Sequence, residues 1–95
     1  MMKVSQGKVR FPLNLSDLLE LRGRKIPIRI EVCENGSVAF LEAEDDFFGA
    51  GKTIKEAREN LIKSLEDELS FLYRHQDELG TDLKEKYRFL QGILR

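Results

Sequence analysis

Few side chains of this chain are of a type and spacing that could do chemistry. The sequence has one histidine, His75, and one cysteine, Cys33, and they fall on different predicted elements far apart in the chain. A lone histidine near the end of a long helix usually interacts with the terminal carbonyls and the negative end of the helix dipole. A lone cysteine at the end of a strand usually acts as a small packing residue. Because no nucleophile and base can be paired, we predict that the protein is not an enzyme.

An acidic segment offers a second kind of chemistry, the binding of a divalent cation. Hard cations seek clustered oxygen ligands, and four carboxylates lie close together in the sequence: Glu42, Glu44, Asp45 and Asp46. Their spacing is not diagnostic of a metal site, and no histidine or second group of carboxylates accompanies them. We therefore predict a solvated acidic loop, with no metal and no cofactor.

The segment Gly49-Ala50-Gly51-Lys52-Thr53 superficially resembles a phosphate-binding loop. The P-loop needs four residues between its glycines so that successive amides can surround a phosphate, and only Ala50 separates the two glycines here. The segment is therefore not predicted to be a nucleotide site. A helix that begins at this point keeps only the weak affinity for anions that every helix N-terminus has.

The same segment predicts the start of a long helix. Thr53 and Glu56 have the spacing of a capping box, in which the hydroxyl accepts from the Glu56 amide and the carboxylate accepts from the Thr53 amide. Gly51 suits a sharp turn from an extended segment into the helix. The apolar positions after Thr53 follow steps of three and four residues, which predicts a stripe that packs on a sheet. These positions are Ile54, Ala57, Leu61, Leu65, Leu69 and Leu72.

Two strands before this helix are predicted from strict alternation. Residues 26–32 place Ile26, Ile28, Ile30 and Val32 on one face, Asn35-Gly36 is a strong hairpin signal, and residues 37–41 continue as the second strand. Pro27 suggests that the first of these strands lies at a sheet edge. Phe47-Phe48 predicts a brief third strand that leads to Gly51.

The first 25 residues are predicted to form an N-terminal extension. Val9-Arg10-Phe11 indicates a short edge strand that Pro12 ends. A helical spacing in residues 15–22 predicts a helix of one or two turns, closed by Gly23 in a left-handed conformation.

A final helix is predicted after Gly80, and it is apolar over more than half of its circumference. We expect it to be buried against a second subunit through one spaced set of side chains, which are Leu83, Tyr87, Leu90 and Leu94, with Phe89 and Ile93 beside them. Three further apolar side chains fall off the stripe of the long helix, and they are Ile62, Phe71 and Tyr73.

Length and composition limit the class of protein. Ninety-five residues with 41% hydrophobic composition suffice for one α+β domain, but a chain this short buries a smaller fraction of its surface than a larger one, so a homodimer is expected. We divide this single domain (1–95) into the extension 1–25, a core 26–76 with three antiparallel strands and one long helix, and a C-terminal helix 77–95. No apolar run approaches the roughly 18 residues of a membrane span. With no apolar leader after Met1, we expect a cytoplasmic protein.

The charges are sorted along the chain although the net charge is only −1. Residues 1–30 carry seven Lys or Arg and two acids, residues 31–51 carry six acids and no base, and residues 52–95 carry nine of each. The basic N-terminal third could contact nucleic acid or an acidic partner, or it could lie beside the acidic hairpin and neutralise it.

With these elements placed, residues 26–72 resemble the HicB-like antitoxin family. The run from Gly51 to Leu61 matches the family's glycine, threonine, glutamate-alanine and asparagine-leucine positions, and its distance from Val38-Ala39-Phe40 agrees without a gap. The chain departs from the family at 42–47, where members usually have a turn with proline and glycine that often ends in cysteine. The resemblance implies a three-stranded sheet and one helix, related to a partial ribonuclease H fold. It also implies binding to a small ribonuclease toxin whose active site is blocked.

Residues 7–41 show a second resemblance, to the swapped-hairpin AbrB and MazE proteins. It is carried by Gly7-Lys8-Val9-Arg10-Phe11-Pro12, Leu15, Leu18-Leu19, Leu21, Gly23 and the strand 26–32. Glu20 replaces a usual glycine, and one loop residue is missing. Members are intertwined dimers that bind DNA with basic side chains, which would correspond to Lys8, Arg10, Arg22, Arg24 and Lys25. Because both resemblances use the same two strands, we favour the HicB-like one.

The predicted function is therefore a non-enzymatic antitoxin-type protein that binds and neutralises a small ribonuclease toxin. Aromatic anchors dominate interface energetics, and four aromatic side chains are the predicted partner contacts: Phe47, Phe48, Phe71 and Tyr73. The alternatives are a DNA-binding regulator of the AbrB/MazE kind and a stand-alone oligomeric protein.

Overall fold

The computed structural model describes residues 11–94, apart from the side chain of Leu94. Four strands form one antiparallel sheet in the order β1-β2-β3-β4, and two helices follow them in the chain. The strands are β1 (Leu13–Leu21), β2 (Arg24–Cys33), β3 (Gly36–Leu41) and β4 (Phe48–Gly51), and the helices are α1 (Ile54–Arg74) and α2 (Thr81–Leu94), joined by a 3₁₀ turn at Gln76–Glu78. The predicted α+β class is confirmed, and so are the three strands, the long helix and the C-terminal helix. The sheet has one more strand than predicted.

The additional strand is β1, so the predicted short helix over 15–22 is wrong. Every residue of β1 pairs with β2, from Leu13 opposite Val32 to Leu21 opposite Arg24. The apolar residues that suggested a helical spacing instead alternate between the two faces of a strand. The strand predicted at Val9-Arg10-Phe11 lies mostly outside the described residues, and Phe11 lies in a bend before β1.

A two-residue turn, Arg22-Gly23, joins β1 to β2. Both residues have positive φ, 53° and 77°, which is the backbone that a tight hairpin with the right-handed strand twist requires. Gly23 is left-handed as predicted, but it serves a hairpin and not the end of a helix. The extended backbone of 13–21 thereby turns directly into β2.

The β2–β3 hairpin is confirmed, with Glu34 and Asn35 as its two turn residues and Cys33 opposite Gly36. The expectation that β2 is an edge strand is wrong, because β1 and β3 flank it. Pro27 is tolerated because it lies just beyond the part of β2 that pairs with β3, which starts at Ile28. Hydrogen-bonded pairs alternate from the turns outward, so the nitrogen of Pro27 points away from β1. The missing amide hydrogen of Pro27 therefore removes no hydrogen bond from the β1–β2 ladder.

Glycines let α1 approach β4 closely. A Cβ on Gly49 would lie 2.6 Å from the carbonyl carbon of Asn60 and 2.7 Å from the carbonyl oxygen of Ala57, and a Cβ on Gly51 would lie 2.8 Å from the Ala57 nitrogen. The helix backbone therefore rests directly on the strand. Gly51 was expected to allow a sharp turn into the helix, but it lies in β4 and, like Gly49, makes room for the helix.

The predicted cap of α1 is confirmed with one difference. The Thr53 hydroxyl accepts from the Glu56 amide at 3.1 Å, but the Glu56 carboxylate accepts from the Lys52 amide at 2.8 Å and not from that of Thr53. Of the predicted stripe, four residues are buried, whereas Ile54 is exposed and Leu69 is half-buried. The four buried residues are Ala57, Leu61, Leu65 and Leu72.

The core lies between the inner face of the sheet and the two helices. Its fully buried side chains come from β1, β2, β3, α1 and α2, and they are Leu19, Ile28, Ile30, Leu41, Leu61, Leu65, Leu72 and Leu90. Helix α2 packs on α1 and on the start of β2, where the Arg24 Nη1 donates to the Gly92 carbonyl at 2.7 Å. One core thus joins all three parts into which the sequence was divided.

Candidate binding surface

The two faces of the sheet differ in how far the helices cover them. Alternation places Ile28, Ala39 and Gly49 on the inner face, where α1 buries them. The outer face carries the intervening side chains, and we call it the open face. Its apolar members, all exposed or half-buried, are Leu18, Pro27, Val38, Phe40, Phe48 and Ala50, and Arg29 lies among them. Towards β1 the same face carries the polar side chains Asn14, Ser16, Glu20, Lys25 and Glu31. An exposed apolar patch on a small domain is typical of an interaction surface.

An aromatic ridge crosses the open face. Arg29, Phe40 and Phe48 are successive partners in the β2–β3 and β3–β4 ladders, so their side chains form one row. The two rings are 6.3 Å apart between centroids, and the Arg29 guanidinium carbon lies 5.3 Å from the centre of the Phe40 ring. Phe48 is 52% exposed at the end of this row. The row offers both an apolar contact and a cation held at a fixed position.

A shallow hollow of about 650 Å³ lies beside the ridge. Val38 and Ala50, each two residues from one of the phenylalanines and on the same face, form its apolar wall together with the half-buried Cys33. Lys52 and Glu56 at the start of α1 form part of its rim. The open face is therefore uneven, and a protruding side chain of a partner can enter the hollow beside the ridge.

The four aromatic residues predicted to contact a partner do not lie together. Phe47 is only 5% exposed and stacks on Phe89 in the core at 6.1 Å, so it is not available to a partner. Phe48 lies on the open face. Phe71 and Tyr73 are exposed near the end of α1. They lie at least ten residues, or about 15 Å along the helix axis, beyond Leu61, which packs near β4.

Sequence reasoning missed Phe40 as a surface residue. It sits between Ala39 and Leu41, both buried, and strand alternation alone assigns it to the opposite face. That signal was present in the sequence, but Phe40 was counted only as part of an apolar strand.

The predicted dimer contacts on α2 also differ in how far they are exposed. Leu90 is fully buried in the core of its own chain and cannot contact a second subunit. Tyr87 is half-buried against the same core, and Leu83 is exposed. The side chain of Leu94 lies outside the described part of the chain.

Two of the five basic residues proposed for DNA binding are engaged within the chain. Arg22 lies 3.9 Å from Glu66 on α1, and Arg24 donates to Gly92 on α2. Lys25 is exposed beside them. Lys8 and Arg10 lie outside the described residues.

The acidic loop, His75 and the start of α1 each show contacts among neighbouring residues. Oxygens of Glu44, Asp45 and Asp46 lie within 4.8 Å of one another on the surface, an arrangement that exposed carboxylates often adopt. His75 Nδ1 is 3.0 Å from a Glu78 carboxylate oxygen, and its ring lies 4.6 Å from that of Phe71. At the start of α1, the Glu56 carboxylate accepts from the Lys52 amide at 2.8 Å.

Neither helix of the described residues combines the length and the apolar composition that crossing a bilayer requires. Comparison of the chain with protein-family models, with curated proteins and with solved structures finds no match.

Proposed function

We propose that this protein is a non-enzymatic binding protein of the antitoxin type, which neutralises a small ribonuclease toxin by docking its open face on that toxin. The observation that carries the docking surface is the ridge of Phe40 and Phe48 on a sheet face that neither described helix covers. The class of partner rests on the resemblance of residues 26–72 to HicB-like antitoxins.

The chemistry of the ridge suits a protein partner. Aromatic and arginine side chains are enriched among residues that dominate binding energy, and they act best when a ring of weaker contacts excludes water around them. Phe48 and Arg29 belong to these types, and Val38 and Ala50 supply adjoining apolar area. Burial of the exposed part of Phe48 would release water at no cost in hydrogen bonds.

The ridge is also preorganised. Its side chains project from paired strands, and Arg29 is already held over the Phe40 ring. A partner therefore loses little affinity to the ordering of flexible side chains.

The test is the inhibition of a ribonuclease that co-purifies with the full-length chain from its native host. After identification, the small protein is produced alone, and its RNA cleavage is titrated with the wild-type chain. We expect stoichiometric inhibition. Recovery of no ribonuclease, or of one that the chain leaves fully active, would refute the antitoxin assignment.

Two matched variants locate the surface. Phe48→Glu puts a charge on the ridge and is expected to weaken inhibition at least about thirtyfold, as loss of a strong interface anchor does. Tyr73→Glu makes the same kind of change at a side chain that is 62% exposed on α1, and it is expected to leave inhibition unchanged. The opposite ranking would place the contact on the helix and not on the open face.

A further inference from the structure

The outward edge of β1 carries three exposed leucines. Leu13, Leu15 and Leu18 are 43%, 38% and 49% exposed, although β1 is nine residues long and its other edge is fully paired with β2. A long apolar edge strand without lysine or proline is a template for pairing with another chain. Between Leu13 and Leu21 the only charged residues are Asp17 and Glu20.

The β1–β2 register shows which backbone groups face this edge. Leu21 and Arg24 flank a two-residue turn and form a hydrogen-bonded pair, and such pairs alternate along the ladder. The even-numbered residues of β1 therefore direct their amide and carbonyl groups away from β2. At Leu18 these groups are already used, since the amide donates to Asp17 Oδ1 at 2.8 Å and the carbonyl accepts from Arg58 Nη2 at 3.2 Å.

We propose that β1 pairs antiparallel with β1 of a second copy of this chain, with Leu15 on the two-fold axis. In this register Asn14 exchanges hydrogen bonds with Ser16 of the second copy. Leu18, whose groups are occupied, comes opposite Pro12, the one residue there that has no amide to donate. Leu18 therefore faces a residue of the second copy that has no amide in need of the Leu18 carbonyl.

In this register opposite charges, and not like charges, occupy the two ends of a row across the sheet. On the outer face Asn14 lies beside Glu31, and Ser16 lies beside Arg29, in the β1–β2 ladder. Pairing Asn14 with Ser16 of the second copy therefore sets Glu31 of one copy and Arg29 of the other at opposite ends of one row. A shift of the two-fold axis to Asn14 would give two glutamates in that row, and a shift to Ser16 would give two arginines.

The inner face of the interface is apolar at its centre. The two copies of Leu15 face each other across the axis in a pair without hydrogen bonds, where side chains approach most closely. Leu13 of each copy lies beside Asp17 of the other, which Arg58 neutralises at 2.7 Å in its own chain. The two Asp17 residues stay about 14 Å apart along the strands, beyond the screening length at physiological salt. No like charges meet.

The test measures self-association of the full chain by sedimentation equilibrium across micromolar concentrations, because an interface of one strand per copy belongs to the small, weak class. Ser16→Pro removes an outward amide that β2 does not use, and it is expected to raise the dissociation constant at least about tenfold. Glu20→Pro makes the same change at an outward position beyond the paired segment and is expected to leave the constant unchanged. Circular dichroism confirms that both variants fold.

Crosslinking tests the axis. In a Cys33→Ser background, Leu15→Cys is expected to give an oxidised dimer, because directly opposed residues without mutual hydrogen bonds lie within disulfide distance. Leu13→Cys, far from its own mate across the axis, is expected to stay reduced under the same conditions. Equal crosslinking of both variants would overturn the register.

Three other outcomes would overturn the proposal. The chain could remain monomeric at all concentrations. The amides of Asn14 and Ser16 could be protected from hydrogen exchange in the dilute monomer, which would mean that another part of the same chain occupies the edge. The dimer could survive Ser16→Pro and be lost on Leu83→Glu, which would place the contact on α2.

Discussion

The two edges of the sheet are managed in different ways. The β4 edge is four residues long, and α1 lies against it so closely that Gly49 and Gly51 have no room for a side chain. Its outward carbonyl at Ala50 accepts from the Asn60 side chain at 2.6 Å. The β1 edge is nine residues long and exposes leucines on both faces. The edge of β4 is closed by the chain itself, whereas that of β1 is left for something else.

The difference follows from where α1 can approach the sheet. Two glycines at β4 let the helix backbone rest on the strand, so the helix axis is fixed over β3 and β4. The long side chain of Arg58 reaches from α1 to β1, where it contacts Asp17. With the helix placed over β3 and β4, the first part of β1, residues 13–18, stays exposed, whereas Leu19 and Leu21 at its end are buried.

The largest expected effect breaks the closed edge. Gly49→Ala would set a methyl group against the backbone of α1, so the helix must move off the strand, and we expect a loss of more than about 3 kcal/mol in the free energy of unfolding. Gly80→Ala is the control, because nothing lies within 4 Å of a Cβ there. Urea denaturation measures both variants. Equal stability of the two would mean that the close approach of α1 to β4 is wrong.

A pair of leucines sharpens the comparison. Leu61→Ala removes a fully buried side chain over β4 and is expected to cost about 3 kcal/mol, from lost burial and the cavity left behind. Leu13→Ala on the open edge is expected to cost less than about 1 kcal/mol, since much of that side chain is in water already. Both are measured by denaturation at low protein concentration, where self-association does not contribute. Similar costs would show that β1 is covered as well as β4.

The sequence predicted β4 and α1 more accurately than β1. The capping residues, the glycine before α1 and the apolar stripe act within a few residues of one another, so local rules suffice for them. The strand β1 was predicted as a helix because Leu18 and Leu19 are both apolar and Asp17 interrupts the alternation. What makes 13–21 a strand is its pairing with β2 and the contact of Asp17 with Arg58, far away in sequence.

The candidate surface was predicted only in part for the same reason. Phe48 was identified from its residue type, but whether an aromatic side chain faces the core or water depends on packing. Phe47 is stacked on Phe89 from α2, a contact between distant parts of the chain that no local pattern announces. Phe40 could have been recognised from strand alternation. Its neighbour in the ridge comes from another strand, so the ridge itself required the β3–β4 register.

The cap of α1 gives a smaller effect on stability. Thr53→Ala removes the acceptor for the Glu56 amide and is expected to lower the free energy of unfolding by about 1 kcal/mol. Ser64→Ala, an exposed position within the same helix, is the control and is expected to change stability by less than about 0.5 kcal/mol. Thermal and urea denaturation should agree on the ranking. A cap variant as stable as the control would contradict the observed hydrogen bond.

The smallest effect concerns Arg58, which connects α1 to Asp17 and Leu18 at the β1 edge. Arg58→Gln removes the ion pair with Asp17, whose side chain is half exposed, so we expect a loss of only about 0.5 kcal/mol that shrinks further in high salt. The local consequence is larger than the global one. Arg58 no longer holds Asp17 against the edge, so the Leu18 amide should exchange with solvent faster than in the wild type while amides of β3 do not change. Unaltered exchange at Leu18 would show that Arg58 does not protect the β1 edge. The β1 edge would then be even less protected, relative to the β4 edge, than the structure indicates.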